Sequence, residues 1–387
     1  MADPISRRAW FRQSLAASAA LALPAFASMP AFGMRPTRAY ALRESYFVLP
    51  KQQETLKARL LANENPWGPS KKAIAAIGES ASLGNRYVYG STEKLMKKVI
   101  DREKVSPEQV LLAAGSTDLL EKTAFALCMK GGNVISADPS YMSLVKTATA
   151  IGATWKNIPL RADYSHDLDA MEKAIDNETR LIYICNPNNP TGTLTPIGEL
   201  KAFIKKVNSR VPIFIDEAYL ELLDNYDSQT TVGLLLEGYD IMVCRTFSKI
   251  HGMAGLRVGY MVAKPERVKQ IQSLVRTEMG MCVTSLEGAV AAVEDTDFQD
   301  FTRKHIWEGR EYTFNELKKS GMNPIPSVTN FILFPLQMTT KEFVDKMLEK
   351  GVGVRGFDIH GKAYGRVSIG TMDEMKLFVK ALNGLAS

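Results

Sequence analysis

Several polar side chains in this 387-residue chain come directly after short apolar runs of the kind found in buried β-strands. The amide of Asn189 follows one run, and the carboxylate of Asp216 and the phenol of Tyr219 follow the next. The amine of Lys249 follows a third run, and the guanidinium of Arg257 comes shortly afterwards. The ends of parallel strands meet at one edge of an open α/β sheet, where ligands bind. We therefore expect these five side chains to converge on one site.

Pyridoxal 5′-phosphate is a cofactor that needs this combination of groups. Its aldehyde forms a Schiff base with a lysine amine, which would be Lys249, and its pyridine nitrogen needs a carboxylate, which would be Asp216. Asn189 and Tyr219 would form hydrogen bonds with the ring oxygen. A free Lys249 amine would then move protons as a general base and acid, and cationic, water-poor surroundings would lower its pKa.

A phosphate seat is predicted earlier in the chain, where an apolar run ends at Gly115 and a helical pattern follows. The free N–H groups and the dipole at a helix N-terminus favour a phosphate group. Gly115 permits close approach of the backbone, and the hydroxyls of Ser116 and Thr117 can donate or cap. The later residues Thr246, Ser248 and Arg257 would complete the phosphate contacts. Taken alone, this segment is also what an ordinary capped helix looks like.

Together these segments resemble the class I/II aminotransferases of fold type I, and within them the histidinol-phosphate aminotransferase branch. The resemblance covers about residues 45–387 and runs in the family order. It implies an opening segment at residues 62–69 in which Asn63 contacts the substrate. It also implies a ring-stacking Tyr141, and Tyr87 as a phosphate contact to the neighbouring subunit of a homodimer. Arg366 corresponds to the carboxylate-binding arginine, and Arg355 to a second arginine, which in the histidinol-phosphate enzymes lies near the substrate phosphate.

The resemblance implies a transaminase that moves an amino group between an amino acid and a 2-oxo acid. The stretch between Arg355 and Arg366 is somewhat shorter than in the histidinol-phosphate branch, so the substrate is left open. A decarboxylase of the threonine-phosphate type is the alternative, because Lys249 and Asp216 would serve both reactions. A non-catalytic binding protein of the same fold is a third hypothesis, and the presence of Lys249, Asp216 and Arg366 argues against it.

The first residues carry a pattern typical of a twin-arginine signal peptide. Arg7 and Arg8 precede an aromatic pair, an Ala-rich segment follows, and residues 25–27 form a small-x-small cleavage site. We therefore expect the twin-arginine machinery to export the folded protein to the periplasm. The apolar segment is too short for stable insertion in a membrane. An exported enzyme would act on a periplasmic amino acid or on an amino-acid residue of a secreted metabolite.

The composition predicts a large α/β protein. Hydrophobic residues make up 45% of the chain, and apolar runs alternate with helical patterns, which indicates a mostly parallel sheet sandwiched by helices and a smaller α+β domain. The predicted organisation is a signal peptide at 1–27, a linker at 28–45, a small domain at 46–75 and 286–387, and a large cofactor-binding domain at 76–285.

The polar composition limits the other classes of function. A net charge of +6 without a basic stripe gives no support for nucleic-acid binding, and the mixed charges of residues 94–104 are typical of a solvated helix face. Four cysteines without a CxxC pair and four histidines predict neither a metal site nor a disulfide framework.

Overall fold

A computed structural model describes residues 56–87, 89–276 and 278–385 of the chain. Their central feature is a seven-stranded sheet with the order β2-β8-β7-β6-β5-β3-β4, in which β8 runs antiparallel to its neighbours and the other strands run parallel to one another. The strands of this sheet are β2 (Val110–Ala113), β3 (Asn133–Asp138), β4 (Thr154–Pro159), β5 (Thr179–Cys185), β6 (Ile213–Asp216), β7 (Ile241–Thr246) and β8 (Gly259–Ala263).

Helices cover both faces of the large sheet, so its central strands are buried on both sides. Strand β5 shows the period of two: Ile182 and Ile184 join the core on one face, while Leu181 and Tyr183 join the core on the other. The helices in this part of the chain are α1 (Lys71–Ser80), α2 (Tyr89–Glu103), α3 (Ser116–Cys128), α4 (Ser143–Ala150), α5 (Leu168–Lys173), α6 (Ile197–Val207), α7 (Tyr226–Gln229), α8 (Val232–Leu236), α9 (Pro265–Leu274) and α10 (Val283–Glu294).

The C-terminal part forms an antiparallel sheet with the order β11-β12-β9, and β10 pairs in parallel with β1 near the start of the described chain. The register of β11 and β12 places Arg355 opposite Arg366. The elements here are β1 (Ala58–Arg59), β9 (Phe331–Pro335), β10 (Val352–Gly353), β11 (Arg355–Ile359), β12 (Lys362–Ser368), α11 (Thr296–Lys319), α12 (Thr340–Glu349) and α13 (Met372–Asn383). All of them except β11, whose Phe357 and Ile359 belong to a separate small cluster, contribute to a third apolar core that includes Phe334, Phe343 and Phe378.

The α/β class and the mostly parallel sheet are confirmed. The boundaries of the predicted large and small domains stay a prediction. The signal peptide (1–27), the linker (28–45) and residues 46–55 lie outside the described residues. All four cysteines are free, and among the described residues no cluster of three His, Cys, Asp or Glu side chains could hold a metal ion. Within the same ranges, no helix is long and apolar enough to cross a membrane.

The prediction that residues 94–104 form a solvated helix face is wrong for one side of α2. Glu103 is buried, and its Oε1 accepts hydrogen bonds from Arg245 Nη1 (3.0 Å) and from the hydroxyl of Tyr260 (2.6 Å). Arg245 Nη2 also donates to Glu217 Oε2 at 3.0 Å. The carboxylates offset the burial of the guanidinium, so these charges form a buried network beside the strand ends.

Candidate active site

A cavity of about 300 Å³ lies at the ends of strands β5, β6 and β7, where the sequence predicts a site. Residues from the antiparallel sheet and from the segment before α1 close its other side. The lining residues are Ala62, Asn63, Glu64, Ser116, Thr117, Ser140, Tyr141, Cys185, Asn189, Pro190, Asp216, Ala218, Tyr219, Thr246, Ser248, Lys249, Ala254, Arg257, Arg355, Phe357 and Arg366.

Lys249 lies in a tight turn after β7. Gly252 shapes this turn at φ +69°, and a Cβ there would lie only 1.9 Å from the Gly68 carbonyl oxygen. The Lys249 amine donates to the Asn63 carbonyl at 2.9 Å and lies 5.2 Å from the centre of the Tyr219 ring. Desolvation, and next the positive charge of Arg366, lower the pKa of Lys249 to about 8. A sizeable fraction of the amine is therefore neutral, and able to act as a nucleophile or base, near pH 8.

Asp216 ends β6 at the floor of the cavity. The Ala218 N–H donates to its Oδ1 at 3.1 Å, and the Tyr183 hydroxyl donates to its Oδ2 at 3.3 Å. Burial nevertheless raises the pKa of Asp216 to about 6. A buried carboxyl of this kind gains from a cationic partner, and a protonated pyridine nitrogen is such a partner.

Two glycines make room for a phosphate seat at the start of α3. Gly115 has φ +93°, and a Cβ there would lie 2.2 Å from Arg257 Nη2. A Cβ on Gly259 would lie 2.6 Å from the backbone nitrogen of Ser116. Arg257 Nη1 reaches Ser248 Oγ at 3.5 Å. Helix N–H groups, hydroxyls and a guanidinium thus converge where a phosphate would bind.

Tyr219 is buried beside the amine, and two side-chain amides point at its oxygen. Asn63 Nδ2 donates to the hydroxyl oxygen at 3.0 Å and Asn189 Nδ2 donates at 3.3 Å. Burial raises the pKa of Tyr219, so the phenol stays protonated. Because both amides donate, the phenol proton remains available for a ring oxygen.

Tyr141 contacts Thr117, with 3.3 Å between the two hydroxyl oxygens.

Arg366 is buried on β12 opposite Asn189. Its Nη1 donates to Asn189 Oδ1 at 2.7 Å and its Nη2 to the Leu61 carbonyl at 3.2 Å. Its guanidinium carbon lies 5.0 Å from the centre of the Phe357 ring, and that of Arg355 lies 5.6 Å from the same ring. Two guanidinium groups therefore lie beside the same aromatic ring in the lining of the cavity, which favours substrates with acidic groups.

The structure brings most of the predicted site residues together. Gly115 is not a lining residue, but it lies directly behind the cavity against Arg257. Tyr87 is 75% exposed and does not line the cavity of its own chain. Its predicted contact with a neighbouring subunit therefore stays a prediction.

Sequence reasoning missed several residues that support or line the site. Glu64 lies within the opening segment that the resemblance did mark, and Cys185 lies at the end of a recognised apolar run, so sequence position could have indicated both. The others include residues next to predicted ones in sequence, but their residue types did not indicate a role in the site, and several of their contacts are with distant parts of the chain. These residues are Ser140, Tyr183, Asn330, Phe357 and Ser368.

Comparisons with known proteins agree with this geometry. Residues 56–382 match the family described as aminotransferase class I and II. A histidinol-phosphate aminotransferase of Moorella thermoacetica is 33% identical over 326 residues, or 84% of each protein. That of Bacillus subtilis strain 168 is 35% identical over 321 residues, covering 82% of this chain and 88% of the relative.

Solved structures give the same result. The histidinol-phosphate aminotransferase of Sinorhizobium meliloti, in complex with pyridoxal 5′-phosphate, superposes with a TM-score of 0.79 at 25% identity, over 90% of this chain and 97% of the other. One from Erwinia carotovora atroseptica, whose assignment is putative in its own description, gives 0.81 at 26% identity, over 86% and 97%. The amine, carboxylate and phosphate seat fit that cofactor. The chain therefore belongs to the class I and II aminotransferases, the fold type I transaminases that depend on pyridoxal phosphate.

Proposed function

We propose that this transaminase prefers substrates that carry a second acidic group in addition to the acid next to the reacting amine. The observation behind the proposal is the pair of guanidinium groups of Arg355 and Arg366, which lie on neighbouring strands and both contact the Phe357 ring. A single α-carboxylate is satisfied by one bidentate arginine, and a second arginine in the lining of the same cavity suits a side-chain carboxylate or a phosphate ester. The relatives described as histidinol-phosphate aminotransferases support the phosphate ester as one candidate.

The bound cofactor supplies an aldehyde that takes up the amino group and a ring that accepts the electron pair released at the substrate's Cα. The side chains of the protein bind and orient the substrate and the cofactor and move the protons. Arg366 holds the carboxylate and so orients the Cα–H bond. Lys249, once free and neutral, takes the proton from the substrate's Cα and later donates a proton as a general acid. Because its pKa is lowered to about 8, part of the amine is neutral around neutral pH. Asp216 holds positive charge on the ring, and Arg257 anchors the phosphate.

Replacing Arg355 with leucine tests the substrate proposal. We expect the KM for glutamate or histidinol phosphate to rise about 10- to 100-fold, as for loss of a charge-assisted hydrogen bond, while the KM for alanine stays nearly unchanged. Conversion of the cofactor to its amine form, followed by absorbance for each amino donor, gives these values. Arg210→Leu, which removes an exposed arginine outside the cavity, is the matched control.

An equal effect of Arg355→Leu on alanine and on glutamate would remove Arg355 from substrate recognition. Release of CO₂ instead of an oxo acid would assign the chain to the decarboxylases. If no donor converts the cofactor in the wild-type protein, the transaminase assignment itself fails.

We also propose that the enzyme works as a homodimer with Tyr87 reaching the neighbouring site. An exposed aromatic pair supports this, because Tyr87 and Tyr89 are 75% and 66% exposed with their ring centres 6.2 Å apart. Met279 lies in the same surface hollow as Tyr89 and is 47% exposed. Such apolar surface is typical of an interface. Sedimentation of the purified protein as a monomer at working concentration would contradict the dimer.

Export to the periplasm by the twin-arginine route is a further proposal, supported by the arginine pair and the small-x-small site in the sequence. We expect residues 1–30 fused to a folded fluorescent reporter to deliver it to the periplasmic fraction. Changing Arg7 and Arg8 to lysine should retain the reporter in the cytoplasm, although the net charge is unchanged. A reporter that stays cytoplasmic with the native residues 1–30 would refute the proposal.

A further inference from the structure

Asn63 contacts two chemically active side chains, that of Lys249 through its backbone and that of Tyr219 through its own side chain. Its carbonyl oxygen accepts from the Lys249 amine at 2.9 Å, and its side-chain Nδ2 donates to the Tyr219 hydroxyl at 3.0 Å. The residue is buried, with 2% of its surface exposed, and has a φ of +53°, a left-handed conformation that is uncommon for residues other than glycine. Surrounding contacts must hold such a conformation in place.

Ser368 and Asn330 supply those contacts. The Ser368 hydroxyl accepts from the Asn63 backbone N–H at 2.8 Å and donates to Asn63 Oδ1 at 2.9 Å. Asn330 Nδ2 donates to the Asn63 carbonyl at 3.0 Å and to the Glu64 carbonyl at 3.3 Å. Both residues are almost fully buried. Together they hold the backbone N–H and the carbonyl of Asn63, although they lie at the ends of two strands that are distant in sequence.

A transaminase must release the lysine amine from the cofactor and later recover it at the same position. A free lysine side chain would otherwise sample many rotamers, which makes its return slower. A neutral carbonyl suits this task because it accepts from a neutral amine and from an ammonium group alike. A carboxylate in its place would favour the ammonium form, which can neither attack the aldehyde nor accept a proton.

We propose that Asn330 and Ser368 are positioning residues that fix the Asn63 carbonyl as the docking point of the Lys249 amine whenever it is not bonded to the cofactor. The inference goes beyond the proposed function, because it requires no particular substrate. It requires only that Lys249 carries the cofactor.

The rate at which cofactor-free protein captures pyridoxal phosphate tests the docking point. In this step the amine nitrogen adds to the aldehyde carbon and one water leaves, and borohydride traps the bond for mass spectrometry of the Lys249 peptide. We expect Asn330→Ala to slow capture about tenfold, equivalent to about 1.4 kcal/mol of barrier. Affinity for pyridoxamine phosphate, which has no aldehyde, should stay unchanged. Ser368→Ala should slow capture as well, and the double variant should be less than additive.

Gln299→Ala is the matched control. Gln299 is an equally buried amide that donates to two backbone carbonyls, those of Ala292 and Val293, away from the cavity. We expect it to leave the capture rate unchanged. The proposal is overturned if the Asn330 and Ser368 variants capture the aldehyde at the wild-type rate. It is also overturned if they lose affinity for pyridoxamine phosphate by the same factor, or if Gln299→Ala slows capture equally. The capture rate and the affinity for pyridoxamine phosphate are measured without an amino donor. They therefore test the docking point even if the protein transaminates none of the donors.

Discussion

Lys249→Ala is expected to abolish transamination while leaving a folded protein that still binds pyridoxamine phosphate. Proton transfer by a positioned base accounts for about 10²–10⁴ of rate, and this variant also loses the nucleophile that holds the cofactor. The fold should persist, because desolvation of the amine opposes its charged form and alanine removes that cost. Steady-state assays and mass spectrometry after borohydride treatment measure the two losses.

Lys269→Ala, which removes an exposed lysine of α9, should retain full activity and the adduct at Lys249. An adduct on another lysine in the Lys249→Ala variant would contradict the assignment of the active-site lysine. So would activity within a few-fold of the wild-type protein.

The sequence could predict the residues that stand at strand ends, because each is contiguous with the apolar run that positions it. Asp216 and Lys249 are examples: knowing that their strands are parallel neighbours is enough to bring them to one edge. The phosphate seat was predictable for the same reason, since Gly115 joins a strand directly to a helix N-terminus.

The supporting contacts could not be predicted, because they depend on how distant segments pack. Asn330 meets Asn63 across 267 positions and Ser368 meets it across 305. Glu103 is a residue that the sequence pattern placed on the surface and that the structure buries. Its mixed-charge neighbours indicated a solvated helix face, whereas its partner Arg245 is 142 positions away on a buried strand. Local periodicity carries no information about such a partner.

The same distinction explains why Asp216 should show two opposite effects on substitution. Its strand fixes its position, but its buried surroundings set its protonation, and its pKa of about 6 lies above the ordinary 3.8. Because the folded protein favours the protonated carboxyl, Asp216 contributes fully to stability below pH 3.8. This contribution is lost as the pH rises through 6 and the buried carboxyl ionises. Without cofactor at pH 7.5, the wild-type protein therefore carries a buried carboxylate at a cost on the order of 3 kcal/mol.

Asp216→Asn should accordingly make the cofactor-free protein more stable than the wild-type protein at pH 7.5, and this gain should vanish near pH 4. With cofactor, the same change should lower kcat by about two to four orders of magnitude, since breaking a buried ion pair costs about 3–5 kcal/mol. Denaturant unfolding at both pH values and single-turnover kinetics measure these effects. A variant destabilised at pH 7.5 would contradict the cost of the buried carboxylate, and a near wild-type kcat would show that Asp216 does not hold the charge of the cofactor ring. Because stability and activity should move in opposite directions, general damage to the fold cannot produce the expected pair of results.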